Sequence, residues 1–370
     1  MDLKKCIFII DSTTTALMVS LIAKGEAVNC IFERKRGIDT DKAYELFMNF
    51  SRQCLNIAEY EEITVPSRFF LAGGNLLSRY LKFYFFSRAV RKVFKEYTGF
   101  TYIGPGTSSI MNCLKCNPQN IYYLYHGTID CYRYYKMLEK KKSHGVKSRL
   151  KEFIFSKILC LPNSDWNDFF SIQGYSLINM NEINVKWLNY KDFNNKYIEK
   201  RLSNLKGVTS NKKWAMFCPI HDVHTKEGIS SNITDYNQQN IDFLKKYISK
   251  DEHVMIKCHP SVYQMNDLIK NNLNNVVMEL LDTDAKDVVK YIPDDIGGAV
   301  IPMEVLFRYC NFVKLICVET TTLWVLKDDC DVLKISDITS LTGKKKKLLK
   351  DIIQCLSQHN LIDEHYLINA

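Results

Sequence analysis

Short apolar runs alternate with stretches of helical periodicity in the first half of the chain. The predicted strands are 7–10, 28–34, 68–73, 100–106 and 121–127. Longer segments between them, such as 39–58 and 75–97, carry apolar residues at helical spacing. Strands separated by helices of this length predict βαβ units and a parallel sheet.

The same alternation resumes after a polar, aromatic-rich interval at about 140–212. The predicted strands of this second part are 214–220, 253–260, 275–280, 298–302, 312–319 and 331–335. We therefore predict an α/β protein with two Rossmann-like domains facing a central cleft, with domains at 1–205 and 206–370. In such sheets ligands bind beyond the carboxyl ends of the strands.

Composition narrows the class of protein. Of 370 residues, 46% are hydrophobic and 25% charged, which is typical of a globular chain, and no apolar run is long enough to span a membrane. Asp11 interrupts the apolar N-terminal stretch, so we interpret that stretch as a strand and not as a signal peptide.

The 13 scattered cysteines indicate a reducing compartment, and we expect a cytoplasmic protein. One CxxC, Cys113 and Cys116, lacks a second ligand pair, so no metal site is predicted.

The net charge of +9 is concentrated in bursts, with lysine runs at 140–142 and 344–347. Such runs form either a solvated face or a surface that attracts an anionic partner. We expect peripheral contact with the inner face of a membrane through these lysines. Nucleic acid is not an expected partner, because no RNA-binding signature or zinc finger accompanies the bursts.

Three consecutive threonines, Thr320, Thr321 and Thr322, follow the predicted strand 312–319. Hydroxyl donors at the start of a helix can bind phosphate, and a single threonine there would instead be an N-cap. The run of three favours phosphate binding.

At 253–260, Pro260 biases His259 towards an extended backbone, so that its ring can reach a ligand. Glu304 lies in the first turn of a helix that Pro302 opens.

His126 ends the predicted strand 121–127. An imidazole has an ordinary pKa near neutrality, which suits a general base that removes a proton from a hydroxyl group. Gly127 allows close approach of a ligand, and Asp130 could orient the ring. Taken alone, His126 would be interpreted as a loop or core histidine.

Together these motifs resemble bacterial sialyltransferases of the two-domain GT-B architecture, the lipooligosaccharide sialyltransferase and capsular polysialyltransferase families. The segment IKCHPS (256–261) resembles their His-Pro motif, and ETTTL (319–323) resembles their Ser/Thr motif. IPMEVL (301–306) is similar to their Pro-x-Glu helix start. Tyr125 and His126 stand where those families carry an acidic pair before glycine, and we expect His126 to replace the acidic base.

The resemblance implies a metal-independent, inverting transfer of sialic acid, or of a related 2-keto sugar acid, from a CMP-sugar to a hydroxyl of an oligosaccharide or glycolipid. Such transfer belongs to capsule or lipooligosaccharide biosynthesis. His126 would be the base, His259 would meet the leaving phosphate, and Pro260, Glu304 and the three threonines would bind CMP. Weaker candidates for contact with acceptor or sugar are Asp11, Ser12, Thr13, Gly106, Thr107, Gly127, Thr128, Asp130 and His221.

Two alternatives remain open at this point. One is a GT-B transferase with another nucleotide donor, because Lys-x-His-Pro segments also occur in enzymes that build glycerophosphate polymers. The other is a nucleotide-binding homologue that has lost catalysis together with the acidic pair.

Overall fold

The chain forms two α/β units. The computed structural model describes residues 1–36, 41–66, 76–97, 99–106, 108–114, 120–141, 173–182, 184–205, 213–218, 246–248, 252–258, 278, 288–289, 292–317, 325–326, 329, 331–334, 351–352 and 354–361. Unit 1 comprises 1–39, 54–189 and 354–361, and unit 2 comprises 40–53, 190–353 and 362–370.

Unit 1 contains a seven-stranded parallel sheet. Its strands are β1 (Cys6–Ile10), β2 (Ala27–Arg36), β3 (Asn56–Pro66), β4 (Thr101–Pro105), β5 (Asn120–Tyr125), β6 (Gly174–Ser176) and β7 (Val185–Trp187). Their order across the sheet is β3-β2-β1-β4-β5-β6-β7. All adjacent pairs are parallel.

β1 lies in the interior of this sheet because every one of its residues is apolar. All five are buried, as expected for a strand covered on both faces. Phe8 is in register with Cys30 of β2 and Ile103 of β4. β3, by contrast, is an edge strand with exposed Glu59 and Glu62, and charged side chains at an edge oppose pairing with other chains.

The helices of unit 1 follow the strands. They are α1 (Thr13–Ala23), α3 (Leu76–Val93), α4 (Ser109–Leu114) and α5 (Thr128–Lys141), with short 3-10 turns at Leu3–Lys5 and Phe94–Tyr97. The Ser12 side chain caps α1 by accepting a hydrogen bond from the Thr15 amide, and Lys24 ends the helix in the left-handed conformation. Near the C-terminus, helical residues 354–358 pack in this unit, where His359 stacks on Tyr135 at a centroid distance of 3.6 Å.

Helix α2 (Asp41–Cys54) belongs to unit 2, although the chain on both sides of it belongs to unit 1. Its Lys42 Nζ lies 2.6 Å from Asp294 Oδ2. At its other end, the Gln53 carbonyl accepts a hydrogen bond of 2.5 Å from Asn195 Nδ2. Both ends of α2 are thus attached to segments of unit 2.

Unit 2 contains a five-stranded parallel sheet. Its strands are β8 (Trp214–Cys218), β9 (His253–Ile256), β10 (Val288–Val289), β11 (Phe312–Cys317) and β12 (Asp331–Lys334), in the order β10-β9-β8-β11-β12. Its other helices are α6 (Lys196–Ser203) and α7 (Met303–Tyr309), with 3-10 turns at Tyr190–Asp192, Asp294–Ile296 and Gly298–Val300. All adjacent strand pairs are again parallel.

The predicted α/β class with two Rossmann-like units is confirmed. The helix predicted at 39–58 ends at Cys54, and its last part begins β3. The strand predicted at 298–302 is wrong, because the chain turns at Gly297 (φ 106°) into a 3-10 helix over 298–300. Met278, the one described residue of the strand predicted at 275–280, is helical.

The predicted domain boundary at 206 differs from the observed units at three places. Residues 40–53 and 190–205 cluster with unit 2, and residues 354–361 cluster with unit 1. The strand predicted at 68–73 and the lysine run at 344–347 lie outside the described residues. Of the lysine run at 140–142, only the backbone of 140 and 141, at the end of α5, is described. None of the helices in the described part of the chain has the length and apolar character needed to cross a membrane.

Gly174 provides a test of the packing in unit 1. A Cβ atom at this position would overlap the Tyr123 carbonyl oxygen of the neighbouring strand. A backbone atom cannot move aside easily, so Gly174→Ala should lower the free energy of unfolding by about 1–3 kcal/mol. Urea denaturation measures the change.

Gly104→Ala is the matched comparison. Its added Cβ would meet side-chain atoms, Ile9 Cβ at 2.9 Å and Met111 Cγ at 3.0 Å, and the Met111 side chain is flexible. We expect this variant to lose less stability than Gly174→Ala. A larger loss for Gly104→Ala would contradict the packing described for β5 and β6.

Candidate functional site

The strand order of unit 1 creates one crevice at the carboxyl edge of its sheet. Strands run outward in one direction from β1 and in the other from β4, so the chain connections diverge between these two strands. Ligands bind at such a switch point in open α/β sheets. Asp11 and Ser12 follow β1 directly, and Gly106 follows β4.

Glu33 fills part of this crevice with a carboxylate of the protein itself. It belongs to β2, is fully buried, and accepts a hydrogen bond from the Ser108 hydroxyl. It also accepts from the amides of Ser109 and Ile110, at 3.2 and 3.3 Å, which open α4. These donors would otherwise suit a phosphate. In unit 1 the Glu33 carboxylate therefore occupies the position at this helix start where a bound anion would otherwise lie.

Glu33 was absent from the candidates drawn from the sequence. The available signal was a single charged residue inside the apolar strand 28–34. Such a residue, if buried, must find donors, but its partners come from a segment far along the chain. No local pattern could identify them.

Asp11 and Ser12 connect β1 to α1, and Thr13 is the first residue of that helix. The Thr15 hydroxyl donates to Asp11 Oδ1 at 2.9 Å, and Ser12 Oγ accepts from the Thr15 amide at 3.3 Å. The Thr13 side chain is buried. Ser12 thus has a structural role as the N-cap, while the Asp11 carboxylate is half-buried at the edge of the sheet.

His126 and Asp130 form a pair at the carboxyl end of β5. The His126 Nδ1 atom lies 3.2 Å from Asp130 Oδ2, one helical turn further on. The ring is 27% exposed and the carboxylate 4%. The contact has the distance of an ion pair without the angle of a well-formed hydrogen bond.

The backbone places this pair. The Gly127 carbonyl accepts from the amides of Asp130 and Cys131, at 3.0 and 3.1 Å, and so begins α5 directly after His126. Thr128 is the first residue of that helix. A carboxylate in the first turn of a helix is also stabilised by the helix dipole.

Charged groups at the ends of two strands, β1 and β5, affect the pKa of Asp130. Burial is the main cause that raises the pKa of Asp130 above its ordinary value. His126 and then Arg133, whose Nη1 lies 4.0 Å from Oδ1, oppose this rise. The charge of Asp11 adds to it. Asp11, His126 and Asp130, all candidates from the sequence, therefore share one electrostatic environment.

Tyr125, which the resemblance to sialyltransferases matches with the first acidic residue of their motif, is a core residue. Its ring is fully buried and packs edge-to-face on Tyr134 at a centroid distance of 5.5 Å. Burial raises its pKa well above the ordinary value. Of Tyr125 and His126, His126 alone combines a titratable group with access to solvent.

Unit 2 has a corresponding switch point between β8 and β11. Lys257 directly follows β9 and is buried. Its Nζ donates hydrogen bonds to the carbonyls of Ala299, at 2.5 Å, and Cys258, at 3.1 Å. A buried ammonium group is therefore fixed at the edge where the predicted phosphate-binding motifs begin.

Glu304 lies near this ammonium group. It is the second residue of α7, and only 3% of it is exposed. Burial lowers the pKa of Lys257 below its ordinary value, and the nearby carboxylate of Glu304 acts in the opposite direction. Lys257 was noted in the sequence only as part of the His-Pro segment and was not assigned a role. Its burial could not be foreseen from that segment.

The remaining candidates lie outside the described residues. These are Thr107, His221, His259, Pro260, Thr320, Thr321 and Thr322. His259 directly follows Cys258, and Thr320 comes three positions after Cys317, the last residue of β11. Their roles stay predictions.

A separate cluster in unit 1 offers three groups that could bind a metal ion. The ligand atoms of Glu139, Cys355 and His359 lie within 4.8 Å of one another. However, Lys136 Nζ already lies 2.8 Å from Glu139 Oε2. This ammonium group balances the carboxylate, so the arrangement does not require an ion.

Comparison with known proteins adds little to this geometry. No family model matches the chain, and no curated protein matches it. Among solved structures, the chain is similar to the E. coli ADP-heptose LPS heptosyltransferase II. The match covers 96% of this chain and 99% of that one, with 9% identity and a TM-score of 0.39. A likeness this weak supports no inference about activity or substrate.

The buried lysine leads to a test by pH. An unfolded lysine keeps its proton up to a pH of about 10.4, whereas folded Lys257 releases it earlier. Between these pKa values the unfolded state binds more protons, so stability rises with pH. The wild type should therefore gain stability relative to Lys257→Met as the pH rises through this alkaline window, measured by urea denaturation.

Glu304→Gln supplies the companion variant. Loss of the neighbouring carboxylate should lower the Lys257 pKa further and widen the window in which stability rises with pH. A difference between wild type and Lys257→Met that stays constant with pH would contradict the burial of a charged lysine.

Proposed function

We propose that this protein is a glycosyltransferase that moves a sugar from a nucleotide-activated donor to a hydroxyl group of a glycan acceptor. The observation that carries the proposal is the His126–Asp130 pair at the carboxyl end of β5, beside Asp11. A partly exposed imidazole next to a buried carboxylate suits a general base, because the carboxylate can orient the ring while the other nitrogen stays accessible. Each of the two α/β units has a sheet of parallel strands with its own switch point, so acceptor and nucleotide can bind to separate units.

His126 acts as the base in this proposal. Asp130 Oδ2 lies 3.2 Å from Nδ1 and would orient the ring, so that Nε2 takes the proton from the acceptor hydroxyl as its oxygen attacks the anomeric carbon of the donor. The bond between that carbon and the donor phosphate breaks, and the nucleotide leaves with the electron pair. Attack opposite to the leaving group inverts the configuration. His259 and the threonines of 320–322 would stabilise the charge on the departing phosphate.

Unit 2 binds the nucleotide in this proposal. The segments that resemble nucleotide-binding motifs follow β9 and β11 in sequence, and Glu304, whose charge acts on Lys257, is buried. In unit 1, by contrast, Glu33 occupies the helix start that could receive a phosphate. This difference supports assigning the donor to unit 2 and the acceptor to unit 1.

The donor belongs to one of two classes. The resemblance to sialyltransferases supports a CMP-sugar, whose single phosphate neutral hydroxyl groups can bind. A second observation favours a nucleoside diphosphate sugar: Lys257 fixes a cation at this edge of unit 2, and a diphosphate leaving group carries more negative charge. Both classes transfer a sugar through the same base.

A nucleotide panel distinguishes the donor classes. Thermal unfolding with CMP, CDP, ADP, UDP and GDP should show stabilisation by one nucleotide, because a ligand that binds only the folded state raises its stability. Stabilisation by CMP supports the sialyltransferase-like donor, and stabilisation by a diphosphate supports the second class. Absence of any shift at millimolar concentrations would contradict nucleotide binding.

The base is tested with the donor that this panel identifies. His126→Ala should slow transfer or donor hydrolysis by about 100- to 10,000-fold, the usual contribution of a general base. Nucleotide affinity, measured by calorimetry, should not change. His126→Glu, which places an acid where the resembling families have one, should recover part of the rate.

Full activity of His126→Ala would remove the base assignment. Tight nucleotide binding by the wild type without turnover on any glycan would instead favour a non-catalytic nucleotide-binding protein.

A further inference from the structure

One face of α3 presents large apolar and basic side chains to solvent. Phe85 is 64% exposed, Leu81 48% and Tyr84 43%. Arg88 and Lys92, on the next two turns of the helix, are also exposed. Large apolar side chains that cluster on one surface mark a site of interaction more often than isolated ones do.

Helical geometry places these five residues on one stripe. At about 100° per residue, they fall within an arc of about 100°. The opposite face is the packed one: Ser87 and Val90 are buried, and the helix contacts α4. The exposed stripe is therefore the side of α3 that the core does not use.

We propose that this stripe of α3 binds the surface of a membrane that contains anionic lipids. Amphipathic helices of this kind lie flat in the interface, with aromatic and aliphatic side chains inserted at the level of the headgroups. Arg88 and Lys92 have long side chains that reach headgroup phosphates while their stems stay in the apolar layer. The net charge of +9 adds attraction over a longer range.

Charge argues against a second copy of the chain as the occupant. A symmetric contact pairs the stripe with itself, and none of its five side chains is acidic, so Arg88 and Lys92 would find no opposite charge on the partner stripe in either orientation. Single-stranded nucleic acid would use aromatic rings as stacking platforms. Leu81 offers no such ring, and it lies in the apolar half of the stripe with Tyr84 and Phe85. A lipid surface accepts all five side chains.

Sedimentation with lipid vesicles tests the proposal on the full chain. The vesicles are phosphatidylcholine alone, or phosphatidylcholine mixed with phosphatidylglycerol. The wild type should bind the mixed vesicles more tightly, and added salt should weaken this binding. Phe85→Ser should reduce the partition coefficient by about tenfold, because one aromatic insertion is lost. Arg88→Gln with Lys92→Gln should reduce it by about fivefold for each charge.

A matched pair of substitutions provides the control. Lys196 and Lys200 of α6 are exposed and have the same spacing of four residues. Lys196→Gln with Lys200→Gln removes the same charge from another helix and should leave vesicle binding at the wild-type level. Circular dichroism confirms that each variant is folded, which is expected because the altered side chains are exposed.

Three results would overturn the proposal. The first is equal binding of wild type and Phe85→Ser to mixed vesicles. The second is loss of a dimer in Phe85→Ser, detected by light scattering, without vesicle binding by the wild type, which would assign the stripe to a second copy. The third is oligonucleotide binding that depends on the stripe while vesicles do not bind.

Discussion

A buried ionisable group must be matched by hydrogen-bond donors, acceptors or an opposite charge, and this constraint organises both sheets at their carboxyl edges. Glu33 is matched by a hydroxyl group and two amides at the start of α4. Lys257 is matched by two carbonyls, with the Glu304 carboxylate nearby. His126 and Arg133 lie near the Asp130 carboxylate and offset part of the effect of its burial. Each match fixes a loop that follows a strand.

The same constraint separates structural from chemical roles among the polar residues. The donors around Glu33 are all internal and lie at the N-terminus of α4, so this residue orders the crevice of unit 1. The ring of His126 has one nitrogen at Asp130 and keeps partial access to solvent. The proposed role of His126 as a base depends on this incomplete burial, because an acceptor must be able to reach the ring.

The alternation of apolar runs was sufficient to predict two parallel sheets, because strands buried on both faces are continuous apolar segments. β1, β5, β8 and β11 were all placed correctly. β3 was not, because an edge strand rich in glutamate lacks that pattern and follows a helix without a clear break. Segment 298–302 was misassigned since a short apolar run with Gly and Pro fits a turn equally well.

The proximity of candidate residues was predictable only where the ends of neighbouring strands bring them together. Asp11, His126 and Asp130 follow from the rule that carboxyl ends of parallel strands share an edge. Glu33 and Lys257 do not, because their importance depends on burial and on partners that are distant in sequence. The assignment of α2 to unit 2 was equally invisible, since its contacts with Asn195 and Asp294 lie far along the chain, the first of them 142 residues after Gln53.

The placement of α2 also has a consequence for how the chain can be divided. A fragment that ends at residue 189 would contain α2 without the segments of unit 2 that it contacts, and a fragment that starts at residue 190 would lack this helix altogether. Neither unit corresponds to one continuous gene segment. During synthesis, α2 leaves the ribosome long before Asn195 and Asp294, which it contacts, so its docking waits for the second half of the chain.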